Sequence, residues 1–154
     1  MIRVRRLLLS VIFTLFVNLS SFANAQDFRG VFDMLSEDDT SDLFIVSNVL
    51  QRCSGLYGAM AKFLPKSDTQ LAQLKEHSAS LFAVFFEKSV DVMNSAKQNT
   101  PENNLNEIAK AIPYYVDVYY RQLEVSQLNT GSIFSPWIQR EFEYCNRLQN
   151  SILR

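Results

Sequence analysis

Val46-Ser47-Asn48-Val49-Leu50-Gln51-Arg52-Cys53-Ser54-Gly55-Leu56-Tyr57-Gly58-Ala59-Met60-Ala61-Lys62-Phe63-Leu64-Pro65 is the stretch on which the fold turns. Val46, Leu50, Cys53, Tyr57, Met60 and Leu64 recur along it in alternating steps of four and three, the seam of a packed helix. Val49, Leu56 and Phe63 widen that face. Pro65 stops it, because the residue before a proline avoids the helical region. Just upstream, Ser36-Glu37-Asp38-Asp39-Thr40-Ser41-Asp42 offers hydroxyls and carboxylates that cap a helix and answer its dipole. The competing reading, a calcium loop, lacks the Gly turn and the closing Glu of an EF-hand. The first helix is therefore expected from about Ser41 to Leu64.

Three more helices follow from the same reasoning. Ser67 or Asp68 opens the second, which runs towards Ala96 with Leu71, Leu74, Leu81, Phe82, Phe85, Val92 and Met93 as its core stripe. Ala79, Val84, Phe86 and Val90 spread apolar surface further round, which predicts a well-buried helix. Thr100-Pro101-Glu102 is a start signal for the third: a capping hydroxyl, Pro in the first turn and a carboxylate near the positive end. Leu105, Ile108, Ile112, Tyr115, Val116, Tyr119 and Leu123 then keep helical spacing. Pro113 predicts a kink or a break in it. Tyr114 to Tyr120 would also suit a strand by propensity, but a lone strand would have nothing to pair with. Asn129-Thr130-Gly131 closes the third helix, and Ser135-Pro136 opens the fourth, with Ile138, Phe142, Cys145, Leu148 and Ile152 on one face. Short connections between long amphipathic helices predict an all-α fold, an antiparallel up-down four-helix bundle over residues 41–154.

That arrangement gives the two cysteines a role. Cys53 lies midway along the first helix and Cys145 midway along the last, both on core-facing stripes of helices that neighbour each other in such a bundle. A structural disulfide is expected. A redox pair would more usually show C-x-x-C spacing and an exposed, activated thiol.

Residues 1–25 read as an address. Arg3, Arg5 and Arg6 form a basic start, Leu7 to Val17 a short apolar run, and Ala23-Asn24-Ala25 a small-residue end, the three parts of a secretory signal peptide. The run is shorter than the roughly 20 residues of a membrane span, although an uncleaved anchor is the competing reading. Cleavage is expected after Ala25, followed by a lead-in segment at 26–40 in which Phe28, Val31, Phe32 and Leu35 have helical spacing. Periplasmic or secreted localisation follows.

The 154 residues are 47% hydrophobic and 20% charged with four Gly and four Pro, which excludes disordered, collagen-like and low-complexity classes. Loss of residues 1–25 removes three of fifteen basic residues and none of sixteen acidic ones, leaving a net charge of −4. Such a chain lacks the basic footprint of a nucleic-acid binder or of a face for anionic lipid. One His and two Cys provide no ligand set for zinc, haem or an iron–sulfur cluster, so neither metal nor cofactor is expected.

Chemistry is sparse. No G-x-S-x-G elbow, phosphate-binding Gly loop or H-E-x-x-H motif is present. His77 is the only candidate base, and its plain reading is an exposed helix residue. Glu87 and Asp91 stand at the i,i+4 spacing of part of a bundle dimetal site, which also needs Glu-x-x-His pairs. Glu141 and Glu143 point to different sides of a helix. What stands out is aromatic: Tyr114, Tyr115, Tyr119 and Tyr120 on the third helix, Tyr57 on the first, Trp137 and Tyr144 on the fourth. Aromatics with polar tips line pockets and interfaces, and they also fill core boundaries. Of these, Tyr57, Tyr114, Tyr115, Tyr119, Tyr120 and Trp137 are the candidate ligand or interface set.

The frame Arg52-Cys53-Ser54-Gly55-Leu56-Tyr57, followed by Tyr120, Asn129-Thr130-Gly131 and Cys145, resembles that of small exported two-cysteine helical proteins of bacteria. The resemblance covers most of the chain after residue 25. It implies export and pairing of the cysteines, and it brings no substrate, cofactor or catalytic residue. The expected function is a protein-binding accessory module whose partner is an envelope or extracellular protein. A carrier of a small apolar or aromatic ligand near the third-helix tyrosines is the alternative, and an enzyme of unrecognised type comes last.

Overall fold

A computed structural model describes residues 31, 42–65 and 67–152. The expected signal peptide, and the lead-in segment apart from Val31, lie outside the described residues. Residues 42–152 contain four helices: α1 (Leu43–Phe63), α2 (Thr69–Ser95), α3 (Pro101–Thr130) and α4 (Pro136–Ile152). No strand occurs among the described residues.

Each boundary has a local cause. Asp42 caps α1 by accepting from the Phe44 N–H at 2.8 Å, and Asp68 caps α2 by accepting from Gln70 and Leu71. Lys75 reaches back from α2 to donate to the Leu64 carbonyl at 2.7 Å, placing a cation on the negative end of α1. Thr100 caps α3 ahead of Pro101, and Gly131, left-handed at φ 71°, closes it. Ser135 accepts from the Ile138 N–H at the start of α4.

Chain directions follow from paired contacts. Ser47 Oγ donates to the Ser89 carbonyl and Ser54 Oγ to the Phe82 carbonyl, so α1 and α2 run oppositely. Asn48 meets Tyr115, and Phe63 lies edge-on to Tyr120, so α1 and α3 run the same way. Cys53 is disulfide-bonded to Cys145, and Tyr57 packs against Phe142, so α4 runs opposite to α1. The bridge spans 92 positions, and in the chain-entropy model closing such a loop stabilises by about 4–5 kcal/mol.

α1 is the hub. Backbone approaches concentrate on it, while α2 and α3 meet each other sparingly. Gly55 sits at the tightest crossing: a methyl there would overlap the Tyr115 Cβ and come within 3.0 Å of its carbonyl carbon. Glycine lets the α1 and α3 backbones touch.

Three expectations change. α2 is not the well-buried helix, since Val84, Phe86 and Val90 stay half-exposed and Ala79 is exposed. α1 takes that place, burying Ser47, Gln51 and Ser54 along with its apolar seam, because these polar groups are answered locally: Gln51 Nε2 donates to Ser47 Oγ, and both serines donate to α2 carbonyls. Leu105, assigned to the core stripe of α3, is 43% exposed, and its neighbour Asn104 takes the buried position instead, donating to Asn94 Oδ1 at 2.9 Å. Pro113 neither breaks α3 nor ends it. Its ring is on the exposed side, and the carbonyl deprived of a donor belongs to Ala109, which is also exposed and so open to solvent.

Candidate functional site

The aromatic set divides into three environments. Tyr57 and Tyr119 belong to the interior, and Trp137 packs on its edge. Tyr57 stacks on Phe85 with centroids 5.6 Å apart and meets Phe142 edge-on, and its hydroxyl has no hydrogen-bond partner in the protein. Burial pushes that phenol far above its ordinary range. Tyr119 stacks on half-buried Trp137 and donates to Glu141 Oε2 at 2.7 Å. Burial first, then the charge of Glu141 and this hydrogen bond, hold the Tyr119 phenol well above its usual range. The same Glu141 oxygen accepts from the Val31 N–H at 2.8 Å, and Val31 is buried in the core. Glu141, itself 1% exposed, thus joins α3, α4 and the chain ahead of α1.

Tyr115 and Tyr120 stand at boundaries. Tyr115 is mostly buried, its hydroxyl accepts from Asn48 Nδ2 at 3.2 Å, and the Arg52 guanidinium lies 5.4 Å from its ring centroid. Arg52 Nε also donates to Asn48 Oδ1 at 2.9 Å, which fixes the amide between them. Tyr115 lines a cleft of about 290 Å³ between α1, α2 and α3, with Phe44, Met93 and Ile108 as apolar walls and Asn48, Gln51 and Glu107 as polar groups. A few convergent polar groups on apolar walls suit a small ligand. Tyr120 is half-buried under Lys62, whose ammonium stands 4.7 Å from its centroid.

Tyr114 alone of the set is on the surface, 61% exposed. With it on the outer side of α3 are Val125 at 43% and Leu128 at 79%. Val118 and Arg121 fall between them at helical spacing, and Arg121 is ion-paired to Asp117 at 2.8 Å. An apolar row on the side away from the core is unusual for a helix whose other face is already packed.

Sequence reasoning assigned no role to Glu141, Asn48, Gln51, Val118, Val125 or Leu128. For Glu141 a signal existed: Ile138, Glu141, Cys145 and Leu148 keep the three–four spacing of the α4 seam. His77 is exposed on α2. Among the described residues, no group of three or more His, Cys, Asp and Glu side chains is arranged to hold a metal ion. Comparison with protein-family models, curated proteins and solved structures finds no match.

Proposed function

We propose that this chain is exported and acts as a protein-binding module that engages its partner through the outer face of α3. The carrying observation is the exposed trio Tyr114, Val125 and Leu128, with half-buried Val118 between them, on the longest described helix of a disulfide-braced scaffold. Export is supported by the buried disulfide, which persists in oxidising compartments, and by the basic, apolar and small-residue sequence of residues 1–25. No helix among the described residues is long and apolar enough to cross a membrane.

The test is site-specific photo-crosslinking in the native host, with the probe placed at Tyr114, at Leu128, or at exposed Gln73 on α2 as the control. Adducts are expected from both α3 positions and not from Gln73. Equal yields at all three, or none anywhere, would remove this reading.

A second reading is favoured by the cleft at Tyr115: a small apolar or aromatic ligand held among Phe44, Met93, Ile108 and Tyr115. Native mass spectrometry of the exported protein should then show bound mass that Tyr115→Ala abolishes while the disulfide remains. An unaltered load in the variant counts against it.

A further inference from the structure

The cleft between α1, α2 and α3 has a polarity of its own. Ser47 donates its proton to the Ser89 carbonyl, so the end of the Gln51 amide that faces Ser47 Oγ at 3.2 Å is the nitrogen. That leaves the Gln51 carbonyl oxygen without a partner among the described residues, on a side chain that lines the cleft and is only 8% exposed. Asn48 is oriented in the same way: Arg52 Nε donates to its Oδ1, and its Nδ2 turns to the Tyr115 hydroxyl. Exposed Glu107 also lines the cleft, and its carboxylate has no hydrogen-bond or ion-pair partner among the described residues.

The two unanswered groups are therefore both acceptors, one of them charged, and no Lys, Arg or His lines the cleft. Its walls include the rings of Phe44 and Tyr115 and the thioether of Met93, surfaces that attract a cation held against them. Residues 26–154 carry a net charge of −4, which acts in the same direction.

We infer that the ligand of this cleft is a small amine on an apolar body, bound as the ammonium, an inference that rests on the small-ligand reading above. The ammonium N–H groups donate to the Gln51 carbonyl oxygen and the Glu107 carboxylate, and the body lies against Phe44, Met93 and Tyr115. A volume of about 290 Å³ is at the small end for ligand clefts, which limits the body to a single ring or a short chain.

Two features would favour an anion, and each is answered elsewhere. Phe44 stands in the first turn of α1, at the positive end of that helix, but the Asp42 carboxylate accepts from its N–H at 2.8 Å. The Arg52 guanidinium lies 5.4 Å from the Tyr115 centroid, but Arg52 does not line the cleft and its Nε is spent on Asn48. Its position shows the Tyr115 ring already drawing one cation from outside.

NMR titration of the oxidised exported protein at pH 7 with phenethylamine, 2-phenylethanol and phenylacetate tests this, since the three probes share a ring and differ in charge. The amine should shift the Asn48 and Gln51 side-chain amides and bind about tenfold tighter than the alcohol, with phenylacetate weakest. Glu107→Gln, at an exposed position, should remove most of the amine's advantage and leave the alcohol's affinity unchanged. An alcohol that binds as tightly as the amine, phenylacetate binding best, or an amine preference indifferent to Glu107→Gln overturns the inference. In each of those cases the cleft is still occupied, so the small-ligand reading stands. No shift of the cleft amides by any probe up to about 10 mM also overturns it. Bound mass that Tyr115→Ala abolishes would then keep the small-ligand reading alone, and absence of such mass would end both.

Discussion

α1 and α2 lie against each other along most of their length, yet α1 buries eleven of its 21 residues and α2 only four of its 27. Apolar content does not explain the difference, because α2 carries Phe82, Val84, Phe85, Phe86 and Val90 in one short run. The sides of α1 that are not apolar hold Ser47, Gln51, Ser54, Gly55 and Gly58, which are small or answered by near neighbours. Other helices can therefore close on every side of it. A helix becomes central by what it offers on its less hydrophobic sides, since large apolar residues need only one neighbour to cover them.

The contrast can be broken most severely at the disulfide, which belongs to α1 alone of the pair. Replacing Cys53 and Cys145 together by Ala should cost about 4 kcal/mol in denaturant unfolding, an effect reproduced by reductant on the natural chain. Next come two adjacent phenylalanines on α2. Phe85 is fully buried against Tyr57, so Phe85→Ala should cost about 3–5 kcal/mol, whereas half-exposed Phe86→Ala should cost less than about 1 kcal/mol. Equal losses would mean that α2 is covered on a second side. Gly55→Ala should cost about 1–3 kcal/mol, because the clash is with Tyr115 Cβ and the backbone that carries it, not with a movable side-chain tip.

The buried tyrosines supply the smallest and most diagnostic comparison. Tyr119→Phe takes a donor from Glu141 and should destabilise by about 1–3 kcal/mol. Tyr57→Phe removes a hydroxyl without a partner and should be neutral or slightly stabilising. Both phenols are held neutral in the folded chain, while the unfolded chain ionises them near pH 10. The unfolded state therefore binds fewer protons above that pH, and stability intact below pH 10 should fall as pH rises past it. Absorbance at the phenolate band should show these two tyrosines ionising only as the chain unfolds.

Most of the fold was legible because its signals are local. Asp68, Thr100-Pro101 and Gly131 mark helix ends within a residue or two, and the shared seam positions of Cys53 and Cys145 foretold their bond. Pattern alone did not reveal which helix is central, since periodicity identifies an apolar side without counting the neighbours that cover it. The candidate site was legible only as a group of tyrosines. Adjacent Tyr114 and Tyr115 differ by about 100° around α3, enough to put one on the surface and the other in the cleft. Glu141 was obscured by its charge, although its spacing belongs to the core of α4.

The bridge between α1 and α4 also separates two kinds of integrity. Both the connection at 96–100 and that at 131–135 lie between its cysteines. A protease that cuts either one leaves two fragments in one covalent molecule, each still carrying a helix of the clasp. Such a nicked protein keeps its parts at the effective concentration of an uncut chain and comes apart only on reduction.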